Sequence, residues 1–143
     1  MQRALPLYHP DFRHSNFIID KDYNILSIID WENASSVPWD VVGFPLFLST
    51  TPAPMDAPWN YDDLGRPKDP STAGLWEERA EYVLRVREAE VTNGLDGRWS
   101  NVLADRASQD LAGALKLYAD PGKIGFYCRV LDSMEAASST QVN

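Results

Sequence analysis

The sequence is poor in residues that bind metals through sulfur or nitrogen, and it lacks long apolar runs. Its 143 residues include one cysteine, Cys128, and two histidines. A single cysteine excludes an internal disulfide bond and a paired-cysteine zinc site, and such usage is typical of a reducing compartment. No apolar run approaches the roughly 20 residues that cross a bilayer, and the first residues do not resemble a signal peptide. We therefore expect a cytoplasmic protein without a membrane partner.

Positive charge is also scarce, because 13 Lys and Arg residues stand against 21 Asp and Glu residues, for a formal net charge of -8 at pH 7. Nucleic-acid binding depends on a basic face that neutralises phosphates, so we expect no nucleic-acid partner. The hydrophobic share of 44% indicates a globular chain rather than a disordered one. The length predicts one domain with a core of its own.

A β-hairpin is predicted near the beginning of the chain. Two short runs of β-branched and aromatic residues, at 17–19 and 25–29, flank the turn-forming stretch "DKDYN". With Tyr23 at the centre of the turn, antiparallel pairing puts Asn16 directly opposite Asp30, with Cα atoms roughly 4.5–5.5 Å apart. The hairpin is therefore expected to bring together an amide and a carboxylate that are distant in sequence.

The residues at the open end of this hairpin are suited to a magnesium site. Mg²⁺ prefers a few protein oxygen ligands and takes the rest from water and phosphate, and Asn16 and Asp30 offer such oxygens. Asp11 lies five residues before Asn16 in an expected loop. A carboxylate beside a metal-bound phosphate can orient a hydroxyl group and accept its proton.

Two motifs carry a resemblance to a known family. The stretch "HPDFRHSN" resembles the catalytic loop of kinase-like enzymes, in which His and Asp are two apart and Asn lies five beyond the Asp. The stretch "IIDW" is similar to the metal-binding Asp motif of aminoglycoside phosphotransferases, which carry IDW or IDF where protein kinases carry DFG. The longer stretches "IIDWENASSVPWDVVGFP", "PWNYDDLGRPKD" and "GKIGFYCRVLD" resemble the same family, particularly its large fungal branch, so the resemblance covers most of residues 5–132.

The resemblance implies a reaction and a role for each matched residue. Asp11 matches the catalytic base that activates the acceptor hydroxyl, Asn16 and Asp30 match the Mg²⁺ ligands, and His9 matches the histidine that supports the loop. The implied cofactors are Mg²⁺ and ATP, and the implied reaction transfers the γ-phosphate of ATP to a hydroxyl group of a small molecule. The resemblance assigns no role to Arg13 and His14, which lie inside the first motif, or to Glu32, which follows the second.

The phosphate-binding elements of the kinase-like fold have no counterpart in the sequence. No G-x-G-x-x-G motif occurs, and Gly122 and Lys123 are followed by Ile124 rather than Ser or Thr. Because only ten residues precede Asp11, we expect the N-terminal lobe to be absent, and no ATP-binding residue is identified. We expect a truncated kinase-like C-terminal lobe over residues 1–143, inactive by itself. The apolar hairpin is expected to pack on helices, to bind a separate N-lobe or to self-associate.

The expected fold class is α+β, with helices in the second half of the chain. Residues 32–70 contain seven of the ten prolines and exclude long regular elements, although "WDVVGFPLFLS" is suited to one or two helical turns. Apolar periodicity predicts helices over 72–93 and 101–119.

The ends of these helices carry recognisable signals. Ser71 or Thr72 is expected to cap the first helix and Ser100 the second. The stretch "KIGFYCRVL" predicts a third helix or a docked segment, and residues 136–143 are expected to form a disordered tail.

The sequence leaves three functions open. The first is the phosphotransferase fragment, and the second is a non-catalytic binding or regulatory module, or the remnant of an enzyme. The third is a metal-dependent hydrolase, because His9 and His14 with Asp11 supply ligands that transition metals accept. Asp11 and Asn16 are also common in turns and caps, so their spacing alone is weak evidence.

Overall fold

A computed structural model of the chain describes residues 5–118 and 127–140. The described residues form an α+β fold with four α-helices and two small antiparallel sheets. The strands are β1 (Leu7–Tyr8), β2 (Phe17–Ile19), β3 (Ile25–Ile28) and β4 (Ser35–Ser36), and the helices are α1 (Pro70–Thr92), α2 (Arg98–Ala104), α3 (Arg106–Lys116) and α4 (Tyr127–Thr140). No helix in the described residues is long and apolar enough to cross a membrane.

The predicted hairpin is present, but its register differs from the expected one. Strand β2 pairs antiparallel with β3, and Phe17 lies opposite Ile28. The backbone N–H of Ile29 donates to the carbonyl of Asn16 at 3.0 Å, so Asn16 lies opposite Ile29 and not Asp30. The turn closes one residue earlier than expected, between Asp20 and Asn24, and an irregularity farther along the strands takes up part of the difference.

The two chain segments that flank the hairpin are also paired. Strand β1 lies antiparallel to β4, with Leu7 opposite Ser36 and Tyr8 opposite Ser35. The backbone N–H of Val37 extends this pairing by donating to the carbonyl of Pro6 at 3.0 Å. This second sheet closes the base of the loop that carries the motif residues, and neither strand is long enough to be seen in the sequence pattern.

The proline-rich segment forms short 3-10 turns and supplies much of the core. The turns are Trp39–Val41, Leu46–Leu48, Ala53–Met55 and Pro58–Asn60, which agrees with the expectation of one or two helical turns in "WDVVGFPLFLS". Between and within these turns, Val42, Phe44 and Leu48 are buried against Val83 of α1 and Leu103 of α2. The proline-rich segment, although its composition is typical of a loop, therefore supplies the apolar surface on which α1 and α2 pack.

Helix α1 agrees with the prediction except for its cap. Asp69 caps the helix, because its carboxylate accepts the N–H of Thr72 at 2.9 Å, whereas Ser71 or Thr72 was expected in that role. Pro70 occupies the first helical position, where a missing N–H costs nothing, so the capping residue has to precede it. The helix ends before Gly94, which has a left-handed φ of 64°.

The predicted helix over 101–119 is wrong in its extent, because the structure has two helices there. Asp105 separates α2 from α3, and its carboxylate caps α3 by accepting the N–H of Ser108 at 2.8 Å. Helix α2 begins at Arg98, so Ser100 lies inside it and is not its cap. A capping side chain offers the backbone an alternative to the continuous helix, which apolar periodicity does not detect.

The last helix extends beyond its predicted end. Helix α4 begins at Tyr127, and the first part of the stretch "KIGFYCRVL" lies outside the described residues. The expected disordered tail over 136–143 is helical as far as Thr140, and residues 141–143 also lie outside the described part. Val130 of α4 packs with Met55 and Ala114 in a second buried cluster.

The apolar side chains of the hairpin do not join either cluster. Ile25 is 62% exposed and Leu26 is 65% exposed, and Ile18 and Ile19 are also exposed. Of the arrangements expected from the sequence, packing of this surface on the helices is therefore not observed.

Candidate functional site

His9 joins the motif loop to the end of the hairpin. The side chain is 8% exposed, and its Nδ1 accepts the backbone N–H of Asp11 at 3.2 Å. Because Nδ1 accepts, Nε2 carries the proton and donates to the carbonyl of Ile29 at 2.9 Å. Both ring nitrogens are thus hydrogen-bonded inside the protein, which agrees with a supporting role and leaves neither nitrogen free to bind a metal ion.

Asn16 contacts Asp11 directly. Its Nδ2 donates to the Asp11 backbone carbonyl at 2.8 Å and to Asp11 Oδ2 at 3.0 Å, and the asparagine is 8% exposed. These two bonds set the amide so that Oδ1 is directed away from Asp11. Oδ1 has one weak contact, with the Ser15 hydroxyl at 3.5 Å, and it therefore keeps lone pairs for another partner.

Asp30 is placed by the residue before it. The backbone of Ile29 is hydrogen-bonded on both sides, through its N–H to Asn16 and through its carbonyl to His9. Asp30 follows in the left-handed region with a φ of 64°, a conformation that costs free energy in a residue other than glycine. Within the described part of the chain, its exposed carboxylate has no hydrogen-bond or ion-pair partner.

Arg13 is a partner of Asp11 that the sequence did not reveal. Its Nε forms an ion pair with Asp11 Oδ1, while Asp11 Oδ2 accepts from Asn16. The arginine side chain is 55% exposed, so a ligand can displace it at modest cost. The spacing of Asp11 and Arg13 could have predicted this ion pair, because opposite charges two residues apart in a loop are necessarily close.

The other two residues without an assigned role lie at the edges of the site. The His14 ring stacks on Phe47 with centroids 4.3 Å apart, which attaches the loop to the proline-rich segment. Glu32 is exposed in the turn after the hairpin.

Aromatic residues support the loop from below. The Phe12 ring lies edge-on to Phe17 at 4.9 Å, and the backbone carbonyl of Phe12 accepts the N–H of Leu46 at 3.1 Å. The His9 ring lies edge-on to Trp31 at 4.7 Å. Such contacts add packing energy and restrict the rings to one orientation, so the polar groups above them are held by a rigid base.

The oxygens at this site fit Mg²⁺ better than a transition metal. Asn16 Oδ1 and the Asp30 carboxylate are hard ligands without strong partners, whereas the nitrogens of His9 are occupied. The described residues contain no cluster of three or more His, Cys, Asp or Glu side chains with metal-binding geometry. An ion held here would therefore take most of its ligands from water or phosphate.

The chain was compared with protein-family models, with curated proteins and with solved structures, and no match was found. Interpretation of the site therefore depends on its own geometry. That geometry brings together His9, Asp11 and Asn16 by direct contact, and it ties the backbone next to Asp30 to the same group.

Proposed function

We propose that the chain is the C-terminal-lobe part of an ATP-dependent phosphotransferase of the kinase-like, aminoglycoside phosphotransferase type. The observation that carries the proposal is the double hydrogen bond of His9, to the backbone of Asp11 and to the backbone of Ile29. By bonding to both segments, His9 would hold the catalytic loop and the end of the metal-binding strand at a fixed separation, which phosphotransfer requires if both act on one substrate. A turn whose polar residues are solvated does not need a buried side chain to hold it to a distant strand.

Each side chain has a defined task in this proposal. The acceptor hydroxyl attacks the γ-phosphorus, the bond from phosphorus to the bridging oxygen of ADP breaks, and Asp11 takes the hydroxyl proton. Asn16 holds the Asp11 carboxylate in one orientation by donating to Oδ2. Mg²⁺ would be held by Asn16 Oδ1 and the Asp30 carboxylate, and when bound it supplies neutralisation of phosphate charge.

Metal specificity tests this proposal. Mn²⁺, a spectroscopic substitute for Mg²⁺, is titrated into the chain and its bound fraction is measured by electron paramagnetic resonance. We expect one weak site per chain that added ATP tightens, because phosphate oxygens complete the coordination shell. Asp30→Asn should weaken the site at least about tenfold, since it removes a charged ligand.

The matched control is Asp63→Asn, at an exposed acidic residue in the proline-rich segment, which should leave Mn²⁺ binding unchanged. Equal Mn²⁺ binding by the Asp30→Asn variant and the unmodified chain would contradict the proposal. Tightly held zinc would favour the hydrolase instead. In a coupled ATPase assay we expect no turnover from the chain alone, because its sequence has no counterpart of the phosphate loop and its lysine.

The exposed hairpin favours a second function, that of a binding module. Ile25 and Leu26 present exposed apolar side chains on the hairpin, and exposed apolar surface is typical of protein contacts. A separate N-lobe or a second copy of the chain would cover it. Sedimentation velocity over a concentration series tests self-association. A monomer at every concentration would exclude the second copy, whereas dimerisation that Leu26→Glu abolishes would support it.

A further inference from the structure

A second cavity, of about 360 Å³, lies between α1, α3 and the segment 50–53. Phe44 lines this cavity and also the cavity beneath the motif loop, which contacts His9 and Phe12. Leu103 lines both cavities as well. The second cavity contains none of the residues assigned to the proposed phosphotransfer site, so a ligand bound in it is independent of the proposed function.

One wall of this cavity presents hydrogen-bond donors without acceptors. The indole Nε1 of Trp76 is buried and has no partner in the described residues. Arg79 donates from Nε to the carbonyl of Leu48 at 2.7 Å, and its guanidinium lies 4.4 Å from the centroid of Phe44. Its terminal nitrogens have no hydrogen-bond partner within residues 5–118 and 127–136. The Trp76 Nε1 is closed off from the cavity, so the terminal nitrogens of Arg79 are the donors that remain for an acceptor there.

The facing wall, on α3, presents a carboxylate between cationic groups. Asp110 is half-buried, and its burial raises the pKa of the carboxyl while the charges of Arg106 and Arg79 oppose that rise. In the part of the chain that the structure describes, Asp110 forms no hydrogen bond or ion pair. Arg106 lies one helical turn before Asp110 and holds its guanidinium 5.2 Å from the centroid of the Trp76 ring.

The charges in this cavity exclude the simplest ligands. A metal cation would meet one carboxylate and two arginines, and an inorganic anion would meet Asp110. Donors on one wall and an acceptor on the other instead suit a molecule that carries both signs of charge. Most of the remaining lining is apolar, including Pro52, Val83 and Leu103, and suits a hydrocarbon side chain, although Thr50, Thr51 and Gln109 also line the cavity.

We propose that this cavity binds a small zwitterion, an α-amino acid with an apolar side chain. The ligand carboxylate accepts from the guanidinium groups of Arg79 and Arg106, beside the Trp76 ring. The ligand ammonium donates to Asp110, and the side chain lies against the apolar residues. Both charges of the ligand then have a partner of opposite charge, which is the usual pattern of a preformed ligand site.

Nuclear magnetic resonance of the indole N–H of Trp76 tests the proposal, with Trp76→Phe assigning its signal. The probes are L-leucine, 4-methylpentanoate, which lacks the amine, and 3-methylbutan-1-amine, which lacks the carboxylate. We expect leucine to shift the Trp76 signal saturably with a dissociation constant below about 1 mM. Each probe that lacks one charged group should bind at least about tenfold more weakly, because a charge-assisted hydrogen bond is lost.

Two variants separate recognition from general stability. Asp110→Asn should weaken leucine at least about tenfold and leave 4-methylpentanoate unchanged or tighter, because only the ammonium contact is removed. Glu78→Gln, an exposed position on α1, should change neither affinity. Absence of a saturable Trp76 shift would overturn the proposal, and so would equal affinity for the three probes. The probe series on the unmodified chain remains decisive if Asp110→Asn fails to fold.

Discussion

Replacement of Glu90 by alanine should strongly destabilise the helical part of the protein. Glu90 is 3% exposed near the end of α1, and its carboxylate accepts two backbone N–H groups at the start of α2. Oε1 accepts from Trp99 at 2.7 Å and Oε2 from Ser100 at 3.1 Å. These are among the first N–H groups of a helix, which have no acceptor within the helix itself.

The magnitude follows from what alanine leaves behind. Each buried N–H group without a partner costs about 1–3 kcal/mol, and a hydrogen bond to a charged group contributes about 1.5–3 kcal/mol. Two hydrogen bonds to the carboxylate give an expected loss of about 3–6 kcal/mol in the free energy of unfolding. Since small domains are stable by about 5–15 kcal/mol, this change removes a large fraction of the total.

Urea denaturation followed by circular dichroism measures this loss. Glu88→Ala is the control, because Glu88 is exposed and pairs with Arg85 at 3.3 Å on the surface of the same helix. An exposed pair of this kind is worth less than about 1 kcal/mol. If Glu90→Ala and Glu88→Ala have the same midpoint of unfolding, the carboxylate does not hold α1 to α2 and the reasoning is refuted.

Two further predictions concern packing and ionisation. Gly113→Ala should destabilise by about 1–3 kcal/mol through overpacking, because the added Cβ would lie 2.7 Å from Pro52 Cγ, whereas Gly74→Ala has open space and should stabilise by about 0.5–1 kcal/mol. Thermal unfolding compares the two, and equal shifts would contradict the assigned clash. Burial first and then Asp56 raise the pKa of Tyr61 to about 12 from the usual 10.0, so its contribution to stability is complete below pH 10 and is lost as the pH rises towards 12. Absorbance titration at alkaline pH should lose a phenol that ionises near pH 12 in Tyr61→Phe, and an unchanged titration curve would refute the assignment.

The sequence was informative where structure is local. The turn at Asp20 to Asn24 and the two ends of α1 depend on a few neighbouring residues. The predicted positions of these features lie within two residues of the observed ones. The contact between Asp11 and Asn16 is local as well, since five residues of a loop separate them. These features follow from turn and cap chemistry that does not depend on the rest of the fold.

The features that the sequence did not reveal depend on distant partners. Val42, Phe44 and Leu48 are core residues because α1 and α2 cover them, although their proline-rich surroundings resemble a loop. The observed register of the hairpin differs by one residue from the predicted one, because the position of the turn and the irregularity in the strands both affect it. An alternating apolar pattern does not reveal where an irregularity inserts a residue.

Buried polar residues inside helices also give no recognisable signal in the sequence. Glu90 is far from its partners Trp99 and Ser100 in sequence, and a glutamate in a helix normally faces solvent. The polar groups of the second cavity, Trp76 and Arg79 on α1 and Asp110 on α3, form no sequence motif. Only the packing of the two helices places these residues around one space.

The location of a bound divalent ion tests the central claim most directly. Mn²⁺ broadens the resonances of nearby nuclei, so a substoichiometric titration maps its position along the chain. We expect the side-chain amide of Asn16 and the backbone amides of Asp11 and Asp30 to broaden first, and Asp30→Asn to abolish that pattern. Broadening that begins elsewhere, for example at Asp62, or that persists unchanged in Asp30→Asn, would contradict a shared ion at the hairpin.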